Sequence, residues 1–356
     1  MTSPRDHVER RRCGSSDLYL PVLGVGCWAY GGGQYWGSQA QSDVDAVVAR
    51  AIDVGCDYFD TAEAYNDGAS EASLGAALKG RRHKAVIGSK VSPSNCYPKV
   101  LREHCGASLR RLQTDYIDLY MVHWPLTPRS IRHFTSDPAV IADPPSVADA
   151  FAMLLDLKAE GKIRHIGVSN FGVARLQEAR QFCPQIVANE LPWSLLTRAI
   201  EREILPHCRK TGVGVIGYMT LLQGLLADIY RSLDDVPAWQ RRTRHLHHAG
   251  CELCRHGEQG AEAQTAEALA AIRAIAEQCG ITMPQIAVKW AVARQGMTCA
   301  LTGARTLSEL DQNVQAVCEP LTPDVIRALD EVTSRLNEHL GPSFDYYENT
   351  NNDRTR

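Results

Sequence analysis

The chain has 356 residues, room for one barrel of eight βα units, which takes about 250 residues before insertions. Apolar residues make up 44% and charged residues 22%, the balance of a packed globular protein and not of a disordered one. The net charge of −3, with no Lys/Arg run longer than the Arg10–Arg12 cluster, excludes a broad nucleic-acid surface. In chain order, the polar start Met1–Arg12 lacks the apolar core of a secretory signal. Arg12–Pro21 suits a short hairpin plugging a barrel floor. Val22–Trp28 is an apolar run punctuated by glycine, and Gly31-Gly32-Gly33 then reads as a flexible loop. The spacing predicts a helix over 42–54, with Ser42 as its cap. Asp57–Thr61 is the next strand, and Ser70–Lys79 a helix stopped by Gly80. Ala85–Val91 is a strand, followed by a helix over Pro98–Leu112 with proline at its start.

The alternation continues to the end. Strands are expected at Ile117–His123, Ile163–Ser169, Ile186–Glu190, Val213–Tyr218 and Thr298–Gly303. Helices are expected at Val147–Glu160, Val173–Gln181, Arg198–Lys210, Ala266–Cys279, Pro284–Arg294 and Leu307–Val317. The strands are continuous apolar runs, as in a parallel sheet buried on both faces. Eight βα units with no second cluster predict an α/β fold of the (β/α)₈ TIM-barrel type, one domain over 1–356 with its core at about 11–336 and tails at 1–10 and 340–356. Leu126–Pro145, rich in proline, is expected as a long loop, and Ala227–Thr265 as a longer polar insertion. The apolar stretch 213–227 is short for a bilayer span and interrupted by Gly214, Gly217, Gly224 and Gln223, so a buried strand plus loop is expected, with no membrane partner. The twelve cysteines, without regular spacing, suit reduced thiols in a cytoplasmic enzyme.

Four polar residues fall at or just after consecutive strand ends: Asp60, Tyr65, Lys90 and His123. In a parallel barrel these ends converge on one face, where barrel enzymes place their active sites. A phenol titrates near pH ~10, too high for easy proton exchange at neutrality. A neighbouring ammonium lowers that value, and an aspartate can hold the ammonium charged. Tyr65 could then protonate a carbonyl oxygen as hydride reaches its carbon, with His123 hydrogen-bonded to the same oxygen. Singly, an Asp, Lys or His at a strand end is more often a cap or a satisfied core group. The four together, in this order, point to chemistry.

The segments Asp60-Thr61-Ala62-Glu63-Ala64-Tyr65, Gly88-Ser89-Lys90-Val91, Asp118-Leu119-Tyr120-Met121-Val122-His123-Trp124-Pro125 and Gly161 to Phe171 resemble the signature blocks of the aldo-keto reductase superfamily. The resemblance runs from about Arg11 to about Leu336. It implies the (β/α)₈ fold, an NAD(P)-dependent reduction of an aldehyde or ketone, sugars and polyols included, or the reverse oxidation, and Asp60, Tyr65, Lys90 and His123 as the catalytic tetrad. It further implies that Trp28 and Asp60 border the cofactor, that Ser169, Asn170 and Glu190 meet the nicotinamide carboxamide, and that Tyr218 stacks on its ring. Met219, Thr220, Leu221 and Gly224 would line the pyrophosphate, and Gly303, Arg305, Glu309, Gln312 and Asn313 the adenosine end. NADP(H) is the expected preference, since Arg305 could pair with a 2′-phosphate, and NAD(H) is the alternative. Two residues depart from the family pattern: Glu190 replaces a glutamine, and Glu309 replaces a glutamine or arginine and would repel phosphate unless Arg305 compensates.

Trp28, Tyr30, Trp36 and Trp124 are expected as the aromatic walls of the substrate pocket. The insertion carries His245, His247, His248, Cys251, Cys254 and His256. A single Cys-x-x-Cys beside histidines could ligate zinc, yet a polar lid without metal is expected. The partner is thus a small carbonyl or alcohol, and a homo-oligomer is compatible with the sequence. Two other readings compete. A non-catalytic cofactor-binding subunit of the potassium-channel β type is disfavoured by an intact His123. A barrel enzyme using Lys90 as a Schiff-base nucleophile is disfavoured by the Asp60–Tyr65 order and the Ser169-Asn170 block.

Overall fold

The computed structural model describes residues 8–356; most of the polar start read as lacking a signal, 1–7, lies outside the described residues. Two short strands, β1 (Arg10–Arg12) and β2 (Tyr19–Pro21), pair antiparallel as the expected hairpin. Eight strands follow: β3 (Leu23–Gly26), β4 (Tyr58–Asp60), β5 (Val86–Val91), β6 (Ile117–Val122), β7 (Ile163–Ser169), β8 (Ile186–Pro192), β9 (Gly214–Tyr218) and β10 (Met297–Gly303). All eight pair in parallel with their neighbours, and β10 returns to β3 to close the barrel. The hairpin floors it: Cys13, Leu18 and Leu20 pack against Tyr58, Leu119, Met121, Ile216, Cys299 and Leu301 from the strands. The chain of apolar strand residues is therefore buried inside as well as outside, and that is why the strands read as unbroken apolar runs. Nine of the twelve cysteines are buried. No helix among the described residues is long and apolar enough to cross a membrane.

The helices match the expected ones with informative exceptions. The first spans Gln41–Asp53 with Ala40 at its N-cap and no side-chain cap, so Ser42 lies inside the first turn. Gln41 anchors that end instead, bonding Asp45 and the Ser73 carbonyl. The helix expected over 198–210 breaks into a 3₁₀ turn at Ala199–Glu201 and a helix at Ile204–Thr211. Pro206 explains the break: it has no N–H for residue 202 and its ring crowds that carbonyl, so it fits only the first turn of a new helix. The helix expected from Ala266 begins at Glu262. The loop 126–145 contains two short helices, Pro128–Ile131 and Pro138–Ala142. A last helix, Pro323–Leu340, is an addition; Thr322 caps it and Leu329, Thr333, Leu336 and Leu340 form its buried stripe.

The glycine run after β3 is not a loose loop. Gly31, Gly32 and Gly33 all hold positive φ (77°, 72° and 120°), and a Cβ on Gly31 would lie 2.7 Å from the Ala69 backbone. The Asn66 amide donates to the Trp28 and Tyr30 carbonyls at 2.8 and 3.0 Å, tying this turn to the segment that carries Tyr65.

The largest departure concerns the segment 340–356, expected as a tail. Ser343, Asp345, Tyr346, Glu348, Asp353, Arg354 and Thr355 are all buried. The sequence hides this because the segment is polar and has no periodic apolar pattern; its polar groups are buried by pairing. The Arg354 guanidinium bonds both Asp345 oxygens at 2.7 Å, and its carbonyl accepts from Ser130. The Thr355 carbonyl accepts from the Gly172 N–H at the head of the helix that follows β7. The 227–265 insertion is knitted to this segment and does not lie over the mouth alone. Arg244 donates to the Leu340 and Ser343 carbonyls, Arg255 pairs with Glu348, and Asn349 donates to the His256 carbonyl.

His245 is locked in the same layer, its Nε2 donating to the Leu196 carbonyl at 2.8 Å and its Nδ1 facing Thr243. Burial pushes it down to about 4. A histidine neutral in the fold but protonated when unfolded removes stability as pH falls from its unfolded value of about 6.5 toward that folded value, because the unfolded state binds more protons there. For His245 alone the loss on acidification to pH ~4 is on the order of 3 kcal/mol. The expected outcome is a Tm that falls steeply between those limits and falls less in His245→Gln. A wild-type Tm flat over that range would contradict the buried neutral imidazole.

Candidate active site

Asp60 ends β4 with glycines on both sides, Gly26 of β3 and Gly88 of β5. A Cβ at Gly88 would collide with the Tyr58 hydroxyl, so this corner admits only glycine. Lys90 reaches across from β5. Its Nζ sits 2.6 and 2.7 Å from the Asp60 carboxylate oxygens and 3.1 Å from the Thr61 carbonyl. Tyr65 follows in a turn whose next residues, Asn66 and Asp67, hold left-handed backbone, and its hydroxyl lies 3.4 Å from Lys90 Nζ. His123, just past β6, places its ring edge-on to Tyr65 with centroids 5.7 Å apart. The four residues expected to work together are together.

Their electrostatics differ from the expectation in one respect. Burial works against the Lys90 charge, but Asp60, with Glu190 and Tyr65 beside it, outweighs that penalty and holds the ammonium protonated above its ordinary range. Burial also raises Tyr65, and the opposing pull of Lys90 does not overcome it, because Asp60 largely neutralises the ammonium. The phenol is thus protonated through neutral pH, raised where lowering was expected. That state suits a proton donor better than a base. His123 is buried and pushed well below its usual range, first by desolvation and then by Lys90 and Arg354. It is a neutral imidazole, able to donate one hydrogen bond.

Glu190 from β8 completes the cluster, with its Oε1 3.3 Å from Lys90 Nζ. Burial and the Asp60 charge push it well above its ordinary range, against the pull of Lys90, and so favour its protonated form. In that form it can donate as well as accept, which reduces the chemical distance from the glutamine it replaces.

The ends of β7, β8 and β9 are joined by a relay. Tyr218 donates to the Asn170 side-chain oxygen at 2.7 Å, and Asn170 donates to the His123 carbonyl and to Ser169 Oγ. Ser169 in turn donates to the Glu190 carbonyl at 3.1 Å. Beyond Tyr218, Met219, Leu222 and Gln223 hold positive φ, as does Gly224, turning the chain sharply around the mouth. Leu221 precedes that turn. Three buried polar atoms here have no hydrogen-bond partner: His123 Nδ1, Glu190 Oε2 and Thr220 Oγ1. Buried orphans are costly, and in one place they point to a polar ligand. The residues therefore fit a nicotinamide dinucleotide.

At the end of β10 the arrangement is less simple. Gly303 accepts from the Asn313 amide at 3.2 Å, and Gln312 bonds Ser308 at the surface. Arg305, expected to be available to a phosphate, donates instead to the Trp36 and Ser38 carbonyls and to Gln39. Glu309 accepts from the Arg305 backbone N–H at 2.7 Å.

Of the aromatic residues expected to wall the substrate, Trp28 and Trp36 pack together beside Tyr65, and Trp124 is buried next to His123. Trp28 lies 5.9 Å from the Tyr65 ring, and Trp36 meets Trp28 edge-on at 5.3 Å. Tyr30 does not join them: it is fully buried in the core beneath the loop. Tyr35 takes that place, stacked on Trp28 at 4.9 Å. Phe134 from the 126–145 loop stands 5.8 Å from His123. Sequence reading missed both, although Tyr35 adjoins the named Trp36. It also missed Arg354, whose guanidinium lies 3.8 Å over the Trp124 ring. Arg354→Ala would strand the buried Asp345 and free the C-terminal segment, with an expected stability loss of about 3–5 kcal/mol. Thermal unfolding checks this; an unchanged Tm would contradict the clasp. In the insertion, His247 faces Gln259 and His256 accepts from the Glu258 N–H, and no group of three or more His, Cys, Asp or Glu among the described residues could hold a metal.

A closed parallel barrel with a Lys–Asp pair, a phenol and a neutral imidazole at its C-terminal mouth defines a barrel oxidoreductase site. The aldo/keto reductase family profile matches residues 22–334, and the chain belongs to that family. It is 30% identical over 325 residues to an NADH-specific methylglyoxal reductase of Escherichia coli K12, covering 85% of this chain and 92% of that one. A second methylglyoxal reductase of the same organism, YeaE, is 31% identical over 319 residues, covering 89% and 92%. Among solved structures, an aldo/keto reductase from Klebsiella pneumoniae in complex with NADP and acetate superposes with a TM-score of 0.68 at 27% identity, covering 92% of this chain and 96% of that one.

Proposed function

We propose that this enzyme reduces a small aldehyde or ketone at the barrel mouth with NAD(P)H, and that an α-oxoaldehyde such as methylglyoxal is a fitting substrate. The observation that carries the reading is the buried Lys90 ammonium, 2.6 Å from Asp60 and within reach of the Tyr65 hydroxyl. The dinucleotide, when bound, supplies hydride. Tyr65 gives its proton to the carbonyl oxygen, and Lys90 stabilises the phenolate left behind. Asp60 keeps Lys90 charged and oriented. His123, neutral, donates a hydrogen bond to the same oxygen and sets the carbonyl's angle. Ser169, Asn170 and the neutral Glu190 present hydrogen bonds to the carboxamide, and Tyr218 a ring face. Trp28 and Tyr35 exclude water on one side, and Trp124 with Phe134 on the other. Sugars and polyols would meet the same aromatic walls.

The engagement of Arg305 by the 36–39 loop, with Glu309 beside it, supports NADH at least as well as NADPH. A 2′-phosphate would have to draw Arg305 from those carbonyls. The buried thiols suit a reducing compartment such as the cytoplasm. The test is loss of reduced-dinucleotide absorbance with methylglyoxal, run with NADH and NADPH in parallel. Carbonyl-dependent oxidation of either supports the reading. Purified protein that oxidises neither, across aldehydes, ketones and sugars, would overturn it.

A further inference from the structure

Several arginines gather where the insertion and the C-terminal segment meet over the mouth, and Arg241, Arg244, Arg255 and Arg354 have carboxylate partners. Arg354 pairs with Asp345 at 2.7 Å, and Arg255 with Glu348 at 2.9 Å. Arg242 is different. It makes no ion pair with any described residue, and its Nε is buried without a hydrogen-bond partner. Its guanidinium instead lies between two tyrosine rings, 5.9 Å from the Tyr35 centroid and 5.5 Å from that of Tyr347.

Each ring leads to one side of the site. Tyr35 stacks on Trp28, which lies against Tyr65. The Tyr347 hydroxyl accepts from the Gln223 amide at 2.6 Å, on the sharply turned loop after Tyr218. Stacking between aromatic faces stabilises a guanidinium and fixes its plane, but leaves its N–H fork without acceptors. A half-buried fork held rigid at a ligand mouth is matched by a planar or tetrahedral oxyanion.

We propose that Arg242 is the oxyanion-binding residue of the barrel mouth, receiving a phosphate or carboxylate group of the bound ligand between Tyr35 and Tyr347. The proposal rests on the reading of the mouth as the meeting place of dinucleotide and carbonyl. The oxyanion has two sources, the pyrophosphate of the dinucleotide or an anionic group on the carbonyl substrate. Both present the same chemistry to the fork.

The test compares wild type with R242Q and R242K. Dissociation constants for inorganic pyrophosphate, NADH and NADPH are measured by tryptophan fluorescence without carbonyl. The kcat/KM ratio of succinic semialdehyde to butanal, an anionic and a neutral aldehyde of equal carbon number, is measured with saturating dinucleotide. In R242Q an expected loss of about tenfold or more, the scale of a charge-assisted hydrogen bond, appears in one arm. Weakened pyrophosphate and dinucleotide binding identifies the cofactor as the source. A collapsed ratio with unchanged pyrophosphate binding identifies the substrate. R242K is expected to recover part of either loss, as retained charge without the fork would. Wild-type values in both arms would overturn the proposal. If wild type itself binds pyrophosphate but oxidises no dinucleotide with any carbonyl, the functional reading fails while the role of Arg242 still stands or falls by R242Q.

Discussion

Tyr65→Phe is expected to lower kcat for carbonyl reduction by about 10³-fold, within the range of a lost general acid, while the dinucleotide dissociation constant stays nearly unchanged. The hydroxyl is the atom at issue: it lies 3.4 Å from Lys90 Nζ, and its ring is packed at 5.7 Å from His123 and 5.9 Å from Trp28. Phenylalanine keeps the ring and its packing and removes only the proton. Desolvation at its half-buried position raises the phenol above its ordinary range, so the donor form persists through neutral and mildly alkaline pH. Wild-type reduction is therefore expected to be level with pH over that interval, and alcohol oxidation, which needs the phenolate, to be slow at neutrality. Single-turnover kinetics with a dinucleotide titration separate the two effects. A Phe variant that retained most of its rate would remove Tyr65 from the mechanism.

Lys90→Met is expected to act on both rate and fold. The ammonium is fully buried between Asp60 and Glu190. Removing it leaves a buried Asp60 carboxylate without its counter-charge, at a cost of about 3–5 kcal/mol. It also removes the charge that stabilises the Tyr65 phenolate formed on proton transfer, with kcat falling about 10²-fold or more. The double variant Asp60→Asn/Lys90→Met is expected to recover much of the stability and none of the rate. Thermal unfolding and kcat on the single and double variants check this together. Equal loss of Tm in both would mean that packing, not the stranded charge, dominates.

The barrel was legible because its signals are local. Strands buried on two faces are apolar without interruption, as at Ile117–Val122 and Ile163–Ser169, and the elements between them carry helical periodicity. The clustering of Asp60, Tyr65, Lys90 and His123 was legible because they sit at or just after consecutive strand ends, where parallel topology forces convergence. What escaped depends on pairing across long separations. Nothing near Arg354 in sequence indicates that it lies over Trp124, or that Asp345 makes its burial affordable. Tyr30 and Tyr35 are both aromatic and five residues apart, and only the left-handed glycine turn between them decides that Tyr30 enters the core and Tyr35 the mouth. Arg305 could be read as a phosphate ligand because its three acceptors in 36–39 lie on the far side of the chain. The Tyr65 shift was misjudged for a similar reason: the effect of Lys90 was visible, while the depth of burial was not.

The proposed hydride transfer to a carbonyl held among Tyr65, Lys90 and His123 can be followed in the reduction of methylglyoxal with dinucleotide carrying deuterium at the transferable C4 position, with the product analysed by mass spectrometry. Deuterium bound to the new carbinol carbon, from one face of the dinucleotide only, is the predicted result. Product without the label, or label lost to solvent, would contradict it.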